Sequence, residues 1–260
     1  MLQIDDRGVV RWLTIDRPER LNAIPPDGWS RMEQAFEEFS ASDQRVLVVR
    51  GAGENFCAGA DLSQDASVDS GAGPSVLDRF AGMGAVGRSA LALHRIPKPT
   101  IAAVDGVAVG AGLNLALLCD LVVVTDRARL AEIFVRRGLT LDYGGSWILP
   151  RLVGAQRAKE LALTGRMVGA TEAVELGMAL EVVAPTTLES RVGELAEQLA
   201  AQSPLGQMFA KQNLNAAFGR SLSESLSLEA QAQTVCLSSN DASEGVAAFR
   251  ERREPVFGGR

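Results

Sequence analysis

The sequence predicts an α/β chain that ends in an all-helical part, and three observations carry that prediction. Short, wholly apolar runs recur at Val46-Leu-Val-Val49, Thr100-Ile-Ala-Ala-Val104 and Leu121-Val-Val-Val124, as expected of strands covered on both faces. Between them lie segments whose apolar residues repeat at helical spacing. Beyond Pro185 the alternation stops, and Leu188 to Ala201, Leu205 to Phe218, Leu222 to Leu237 and Ala242 to Glu251 all read as helices. At 260 residues, 47% hydrophobic and 22% charged, the chain has the composition of a soluble globular protein with a sizeable core. The change of pattern marks a subdomain boundary, which divides the chain into a core of residues 1–200 and a helical region of residues 201–260.

Val9-Val-Arg-Trp-Leu-Thr-Ile15 mixes β-branched and aromatic residues as a strand does, and Asp16-Arg-Pro-Glu19 ends it with turn chemistry. After the loop Leu21-Asn-Ala-Ile24, Pro26-Asp27 starts a helix with Trp29, Met32, Ala35, Phe36 and Phe39 on one face. The run at Val46–Val49 leads through Gly51-Ala-Gly-Glu-Asn55 into Phe56-Cys-Ala-Gly-Ala-Asp-Leu62, a small-residue turn. Ser63 to Pro74, rich in Ser, Gly, Ala and Asp, reads as a mobile loop. A helix from Val76 to His94 follows, and Ile96-Pro-Lys-Pro99 forces an extended entry into Thr100–Val104. Apolar residues then run through Gly110-Ala-Gly112 into a buried helix. After Leu121–Val124 come Leu130 to Val135, the loop Gly138 to Gly145, helices at Ala155–Thr164 and Ala170–Leu176, and a last strand at Ala179–Val183.

Several function classes are excluded by what the chain contains. A net charge of −6 argues against general nucleic-acid affinity, which needs clustered basic residues. Cys57, Cys119 and Cys236 form no Cys-x-x-Cys pair and leave one over in any pairing, which fits free thiols in the cytoplasm. The single His94 and the absence of ligand spacings give no metal site. His94 sits before Ile96-Pro97 at a helix end, a structural position more than a catalytic one, since nothing nearby supplies a nucleophile. The longest apolar run, Val107 to Val124, is broken by Asn114 and Asp120, so no membrane span is expected, and Met1-Leu-Gln-Ile-Asp-Asp, without a basic region or apolar core, gives no expectation of a signal segment.

Two small-residue turns carry the chemistry. Ala58-Gly-Ala60 and Gly110-Ala-Gly112 each follow a strand, and backbone N–H groups from both would converge on one oxygen and stabilise an enolate or tetrahedral oxyanion. Tight packing of the turns is the plainer alternative for either one alone. Neither matches a phosphate-binding glycine pattern.

On these turns and on Asp16-Arg-Pro-Glu-Arg-Leu-Asn-Ala23, Pro97-Lys-Pro-Thr-Ile-Ala-Ala-Val-Asp-Gly106, Gly110 to Asp120, Leu149-Pro-Arg-Leu-Val-Gly154, Ala170-Thr-Glu-Ala173 and Glu244-Gly-Val-Ala-Ala-Phe249, the chain resembles the crotonase (enoyl-CoA hydratase/isomerase) superfamily over nearly its full length. The resemblance implies a spiral of strand-strand-helix units, a C-terminal helical oligomerisation region, and a homotrimer or dimer of trimers. It implies an acyl-CoA substrate and no cofactor beyond that CoA moiety. Ala60 and Ala111 would supply the oxyanion N–H groups, with Gly112 keeping the turn open. Ala23, Ala58, Asp61 and Leu62 fall where the family binds CoA.

The chain departs from the hydratases at both of their glutamates, which are replaced by Asn114 and Phe134. Neither side chain serves as an acid or base, though Asn114 can orient a water. Asp142 stands where some isomerases of the family carry one acidic residue, and burial between Leu141 and Tyr143 would raise its proton affinity towards neutrality. The alternative is a turn carboxylate before Gly144-Gly145. Glu132, at a strand or loop edge, is the reserve candidate. The expected reaction is isomerisation of a β,γ-enoyl-CoA with Asp142 as base. Hydration with a non-standard acid/base set and non-catalytic acyl-CoA binding stay open. So does nucleophilic attack by Asp142 on an aryl-CoA, as in the dehalogenase branch, with Phe134, Tyr143 and Trp147 as a partial aromatic clamp.

Overall fold

The computed structural model describes residues 1–64 and 75–259. Its main sheet has six strands in the order β1 (Leu2–Arg7), β2 (Val10–Ile15), β3 (Val46–Gly51), β4 (Thr100–Val104), β6 (Leu121–Thr125) and β9 (Glu181–Val183). The β1–β2 pair is antiparallel and the rest are parallel, with Val48 beside Ile101 and Ala102 beside Val122. A smaller sheet joins β5 (Val107–Val109), β7 (Arg129–Ala131) and β8 (Val168–Gly169).

The strand pairs explain the layout. In β4–β5 and β6–β7 the first strand enters the main sheet and the second the small one. After β3, Cys57 takes the equivalent place as an isolated bridge to Ala108. The chain then enters helices: α2 (Val76–His94) after the Cys57 segment, α3 (Ala111–Leu117) after β5, and α4 (Gly145–Val153) with α5 (Ala155–Thr164) after β7. This is the strand-strand-helix spiral expected from the resemblance.

The apolar runs are buried on both faces because different helices cover each. Leu47, Val49, Ala102, Val104 and Val124 join the main core with Trp29, Met32, Phe36 and Phe39 of α1 (Gly28–Ala41). Val48, Ile101, Ala103 and Val123 point the other way and meet Val192, Ala196 and Ala200 of α7 (Leu188–Ala200). Beyond α7 come α8 (Pro204–Ala216), α9 (Leu222–Leu237) and α10 (Asn240–Glu251), which leave Leu214, Phe218, Leu222 and Phe249 exposed.

Some elements differ from the sequence reading. Strand β1 is largely exposed and carries Asp5, Asp6 and Arg7, so it joins the sheet by backbone pairing and shows no apolar signature. Helix α4 contains Pro150 and begins at two glycines, which disguise it as loop. The expected strand at Ala179–Val183 shortens to β9 because Met178 and Ala179 donate their N–H groups to the Ala173 carbonyl at the end of α6 (Ala170–Glu175). Of the stretch Ser63 to Pro74 read as a loop, Ser63 and Gln64 complete a 3-10 turn with Leu62, and the remainder lies outside the described residues. Among the described residues no helix is long and apolar enough to cross a membrane.

Candidate active site

Backbone hydrogen bonds pull the two small-residue turns against each other. The N–H groups of Phe56 and Cys57 both donate to the Val107 carbonyl at 3.1 and 3.0 Å, and Val109 N–H returns to the Cys57 carbonyl at 3.1 Å. The start of α3 is thereby laid on the Cys57–Ala60 turn. The approach is so close that a Cβ on Gly112 would stand 2.2 Å from the Cys57 carbonyl oxygen, so no other residue fits without shifting backbone. A Cβ on Gly59, whose φ is +87°, would lie 2.9 Å from the Val109 oxygen and 3.4 Å from the Ala111 nitrogen.

Within the interlocked turns the N–H groups divide into used and free. Gly59 N–H meets Cys57 Sγ at 3.4 Å, Asp61 N–H donates to the Ile24 carbonyl at 2.8 Å, and Gly110 N–H donates to the Ala131 carbonyl at 2.9 Å. The N–H groups of Ala60 and Ala111 have no acceptor among the described residues; Ala111 is the first residue of α3, where the donor is free by helix geometry. Two unpaired main-chain donors in adjoining turns are the parts of an oxyanion hole.

The residues expected near the CoA cluster on the outer side of the first turn. Ala58 N–H donates to the Leu21 carbonyl at 3.0 Å, and Arg17 donates to the Ala23 carbonyl at 2.6 Å and to Asp61 Oδ2 at 2.9 Å. Asp61 also accepts from the Ser63 hydroxyl and N–H, and these bonds together with Arg17 hold its carboxyl below the usual range. The left-handed Asn22 anchors this loop: its buried amide donates to the carbonyls of Ala52 and Asn55 and accepts from Arg17 N–H. Leu62 is exposed at the start of the 3-10 turn.

Asn114 lies three residues into α3 from Ala111, roughly 4.5 Å along the axis at ordinary helix rise. It is fully buried, and its Nδ2 donates to the Asp142 carbonyl at 3.0 Å and to Glu132 Oε2 at 3.4 Å. Glu132, between β7 and the 3-10 turn Ile133–Arg137, is 1% exposed. Asn114 Oδ1, Glu132 Oε1 and Asp142 Oδ1 are all buried without a hydrogen-bond partner among the described residues. Burial pushes the Asp142 carboxyl up to about 6. Burial, opposed by the Asn114 amide and reinforced by the Asp142 charge, pushes Glu132 up to about 8. Such a cluster is costly to fold and marks a place where a ligand or a proton is handled.

Tyr143 fixes the loop that carries Asp142. Its backbone is left-handed, with φ of 46°, its ring sits 5.3 Å from Trp29, and its hydroxyl lies 3.0 Å from Ser89 Oγ of α2. Trp147 instead packs against His94, ring centroids 5.0 Å apart, with the Arg151 guanidinium 3.9 Å over the indole. The three aromatics of an aryl clamp are therefore not assembled. Phe134 alone faces the turns, its ring against Gly110. His94, at the end of α2, has its basicity lowered by burial and packs structurally, as read from the sequence. Cys57 is buried and its thiol is pushed up to about 12, which makes it a packing group rather than a nucleophile. Among the described residues no three or more His, Cys, Asp or Glu side chains come together as a metal ion would require.

Glu132, the reserve candidate from the sequence, is buried beside Asn114 and Asp142 in this cluster. Strand-edge position hides it, because alternation alone does not tell which side chain of a short strand turns under a loop 10 residues further on. An acidic residue within the apolar run Leu130 to Val135 was the available signal.

The fold and the paired turns define a crotonase-type architecture, the class in which a thioester oxygen is met by two backbone donors. A family model described as enoyl-CoA hydratase/isomerase matches residues 6–260. A 1,2-epoxyphenylacetyl-CoA isomerase of Escherichia coli K12 is 38% identical over 260 residues, covering 98% of this chain and 97% of that protein. A short-chain-enoyl-CoA hydratase of Clostridium acetobutylicum is 32% identical, covering 96% of this chain and 95% of that protein. The crystal structure of an enoyl-CoA hydratase from Bacillus anthracis superposes with a TM-score of 0.93 at 30% identity, covering 100% and 99% of the two chains. The chain belongs to the enoyl-CoA hydratase/isomerase family.

Proposed function

We propose that the protein converts a β,γ-enoyl-CoA into the conjugated α,β-enoyl-CoA. The observation that carries this reading is the Asp142 carboxyl: half-buried, unpartnered at Oδ1 and poised at about 6, so that it is ionised yet basic at neutral pH. The thioester oxygen lies between the Ala60 and Ala111 N–H groups, with Gly112 leaving room for it. Asp142 takes a proton from the α carbon, the electron pair moves towards the thioester oxygen as an enolate, and a proton is returned at the γ carbon. Nothing beyond the CoA moiety of the substrate is needed as cofactor. Ala23, Ala58, Asp61 and Leu62 line the CoA side, and the Arg17–Asp61 ion pair holds that rim in shape. The name of the E. coli relative, 1,2-epoxyphenylacetyl-CoA isomerase, supports an isomerisation carried out on a CoA thioester.

The same reading treats residues 1–200 as the acyl-CoA-binding core, in the cytoplasm that free thiols suit, and residues 201–260 as the region that assembles a trimer or dimer of trimers. The exposed Leu214, Phe218, Leu222 and Phe249 support that assembly. Light scattering at micromolar concentration should give a multiple of three; a monomer contradicts it.

The test of the chemistry is Asp142→Asn. Isomerisation of a β,γ-enoyl-CoA should fall by roughly 10²–10⁴-fold, the worth of a positioned proton-transfer group. Calorimetric affinity for the CoA thioester should be retained and should exceed that for the free acid. Hydration of an α,β-enoyl-CoA faster than isomerisation would favour a hydratase with a non-standard acid/base set. Binding of both thioesters with turnover of neither would make the protein an acyl-CoA carrier.

A further inference from the structure

Isomerisation needs a proton returned at the γ carbon, and the structure offers a second group for that step. Glu132 is 1% exposed, more completely buried than Asp142, and among the described residues no cation is paired with it. Arg136 on the adjoining 3-10 turn donates instead to the Thr164 carbonyl at 3.3 Å, and Arg137 is exposed. From α3 it is met by the neutral Asn114, and the charged group acting on it is Asp142, from the loop before α4. A single amide, Asn114 Nδ2, reaches both Glu132 Oε2 and the main chain of Asp142. One oxygen of each of the three side chains is without a partner among the described residues. A buried carboxyl with one weak donor and a carboxylate neighbour is most stable carrying its own proton.

Resting on the isomerase reading, we propose that Glu132 is the second proton carrier of the site: Asp142 removes the α proton and Glu132, held as the neutral acid, delivers its own proton to the γ carbon. The electrons balance without another reagent. The α C–H bond breaks to Asp142 and its electron pair gives the dienolate. As the thioester carbonyl re-forms, the enolate π pair becomes the α,β double bond, the β,γ π pair takes the Glu132 proton as the new γ C–H bond, and the O–H pair stays on Glu132. Asp142 is then the acid and Glu132 the carboxylate. One proton passing from Asp142 to Glu132 through solvent restores the starting pair.

The ordering of the two acids agrees with their environments. Asp142 releases its proton at about 6 and Glu132 at about 8, so the competent form, carboxylate beside acid, dominates between those values. A site with pKa values pushed apart in this way can remove and return protons through different groups, whereas a lone base returns the proton it took unless that proton first exchanges with solvent.

Isotope fate separates these cases. With a β,γ-enoyl-CoA dideuterated at the α carbon, turned over in light water, the wild type should place mostly solvent hydrogen at the γ carbon. Glu132→Gln should lower kcat by roughly 10²-fold, leave KM little changed, and raise the share of deuterium carried from α to γ, because Asp142 then does both jobs. Glu132→Asp keeps the proton and shortens its reach; it should retain part of the rate with solvent hydrogen still delivered, and it serves if Glu132→Gln does not fold. A purely structural Glu132 would change the rate without changing where the label goes. Independently of turnover, the infrared band of a protonated carboxyl at pH 7 should be present in the wild type and in Asp142→Asn and absent in Glu132→Gln. A wild type that transfers most of its deuterium from α to γ overturns the proposal while leaving the isomerase reading intact. Absence of the infrared band overturns it whatever the activity. A wild type with the band that isomerises no β,γ-enoyl-CoA removes the isomerase reading and the delivery step with it.

Discussion

Where α3 begins, the proposed functional atoms are main-chain N–H groups fixed by main-chain neighbours; one turn further in, they are side-chain oxygens without partners among the described residues. At the first place Cys57, Val107 and Val109 exchange hydrogen bonds of 3.0 to 3.1 Å, and Ala60 and Ala111 are flanked by residues whose N–H groups are bonded, Asp61 to the Ile24 carbonyl and Gly110 to the Ala131 carbonyl. At the second, Asn114, Glu132 and Asp142 each keep an unsatisfied buried atom. On the proposed reading, one short helix serves two needs. Stabilising an enolate oxygen requires donors that do not reorganise, and rigidity there agrees with stability. Moving a proton requires groups whose charged and neutral forms lie close in energy, and burial achieves this at a cost in stability.

The largest effect should come from breaking the rigid half. Gly112→Ala places a methyl group 2.2 Å from the Cys57 carbonyl oxygen and 2.9 Å from its Cβ, so the turn and α3 must separate. Losing the alignment of one donor is worth roughly 10²–10³-fold in kcat, and overpacking costs about 1–3 kcal/mol in stability. Activity and melting temperature should therefore fall together at every pH, as steady-state rates and thermal melts will show. Unimpaired turnover would mean that the Ala111 donor does not depend on this contact.

The two halves also differ in how far the sequence revealed them. The turns were legible because an N–H donor needs no particular side chain, only small ones, and Cys57-Ala-Gly-Ala60 and Gly110-Ala-Gly112 advertise that need by composition. The apolar strands were legible for the same kind of reason, since a run such as Val46–Val49 has no exposed face to serve. Asp142 stands out only by the resemblance, while the direction of its proton affinity follows from burial between apolar neighbours. Glu132 was ranked behind it because its burial is made by chain segments far apart in sequence: Asn114 on α3 and the loop at Asp142, held in turn by Tyr143 against Ser89. No local pattern encodes that convergence. Strand β1 escaped for the opposite reason, being a charged edge strand defined by its pairing alone.

The smaller effect, and the sharper test of the contrast, is a stability gain from Glu132→Gln. An unfolded chain ionises this carboxyl near its ordinary 4.5, whereas burial keeps it protonated up to about 8 in the folded protein. Between those values the folded state binds more protons than the unfolded state, so the Glu132 contribution to stability is full below about 4.5 and is lost as pH rises through 8. Asp142 adds a contribution of the same sign, spent by about 6. Glutamine has a similar shape and no proton to lose, so it escapes that loss. Wild type and Glu132→Gln should melt at similar temperatures near pH 4 and diverge with rising pH, the variant higher by a few degrees at pH 8. One kcal/mol corresponds to roughly 2–4 °C for a chain of this size. The same substitution should slow isomerisation, so function and stability would move in opposite directions here and in the same direction at Gly112. Thermal melts of both variants across pH 4 to 8 decide it: a Glu132→Gln protein less stable than the wild type at pH 8 would show that Glu132 is held by satisfied contacts, and that the second half of the site is built like the first.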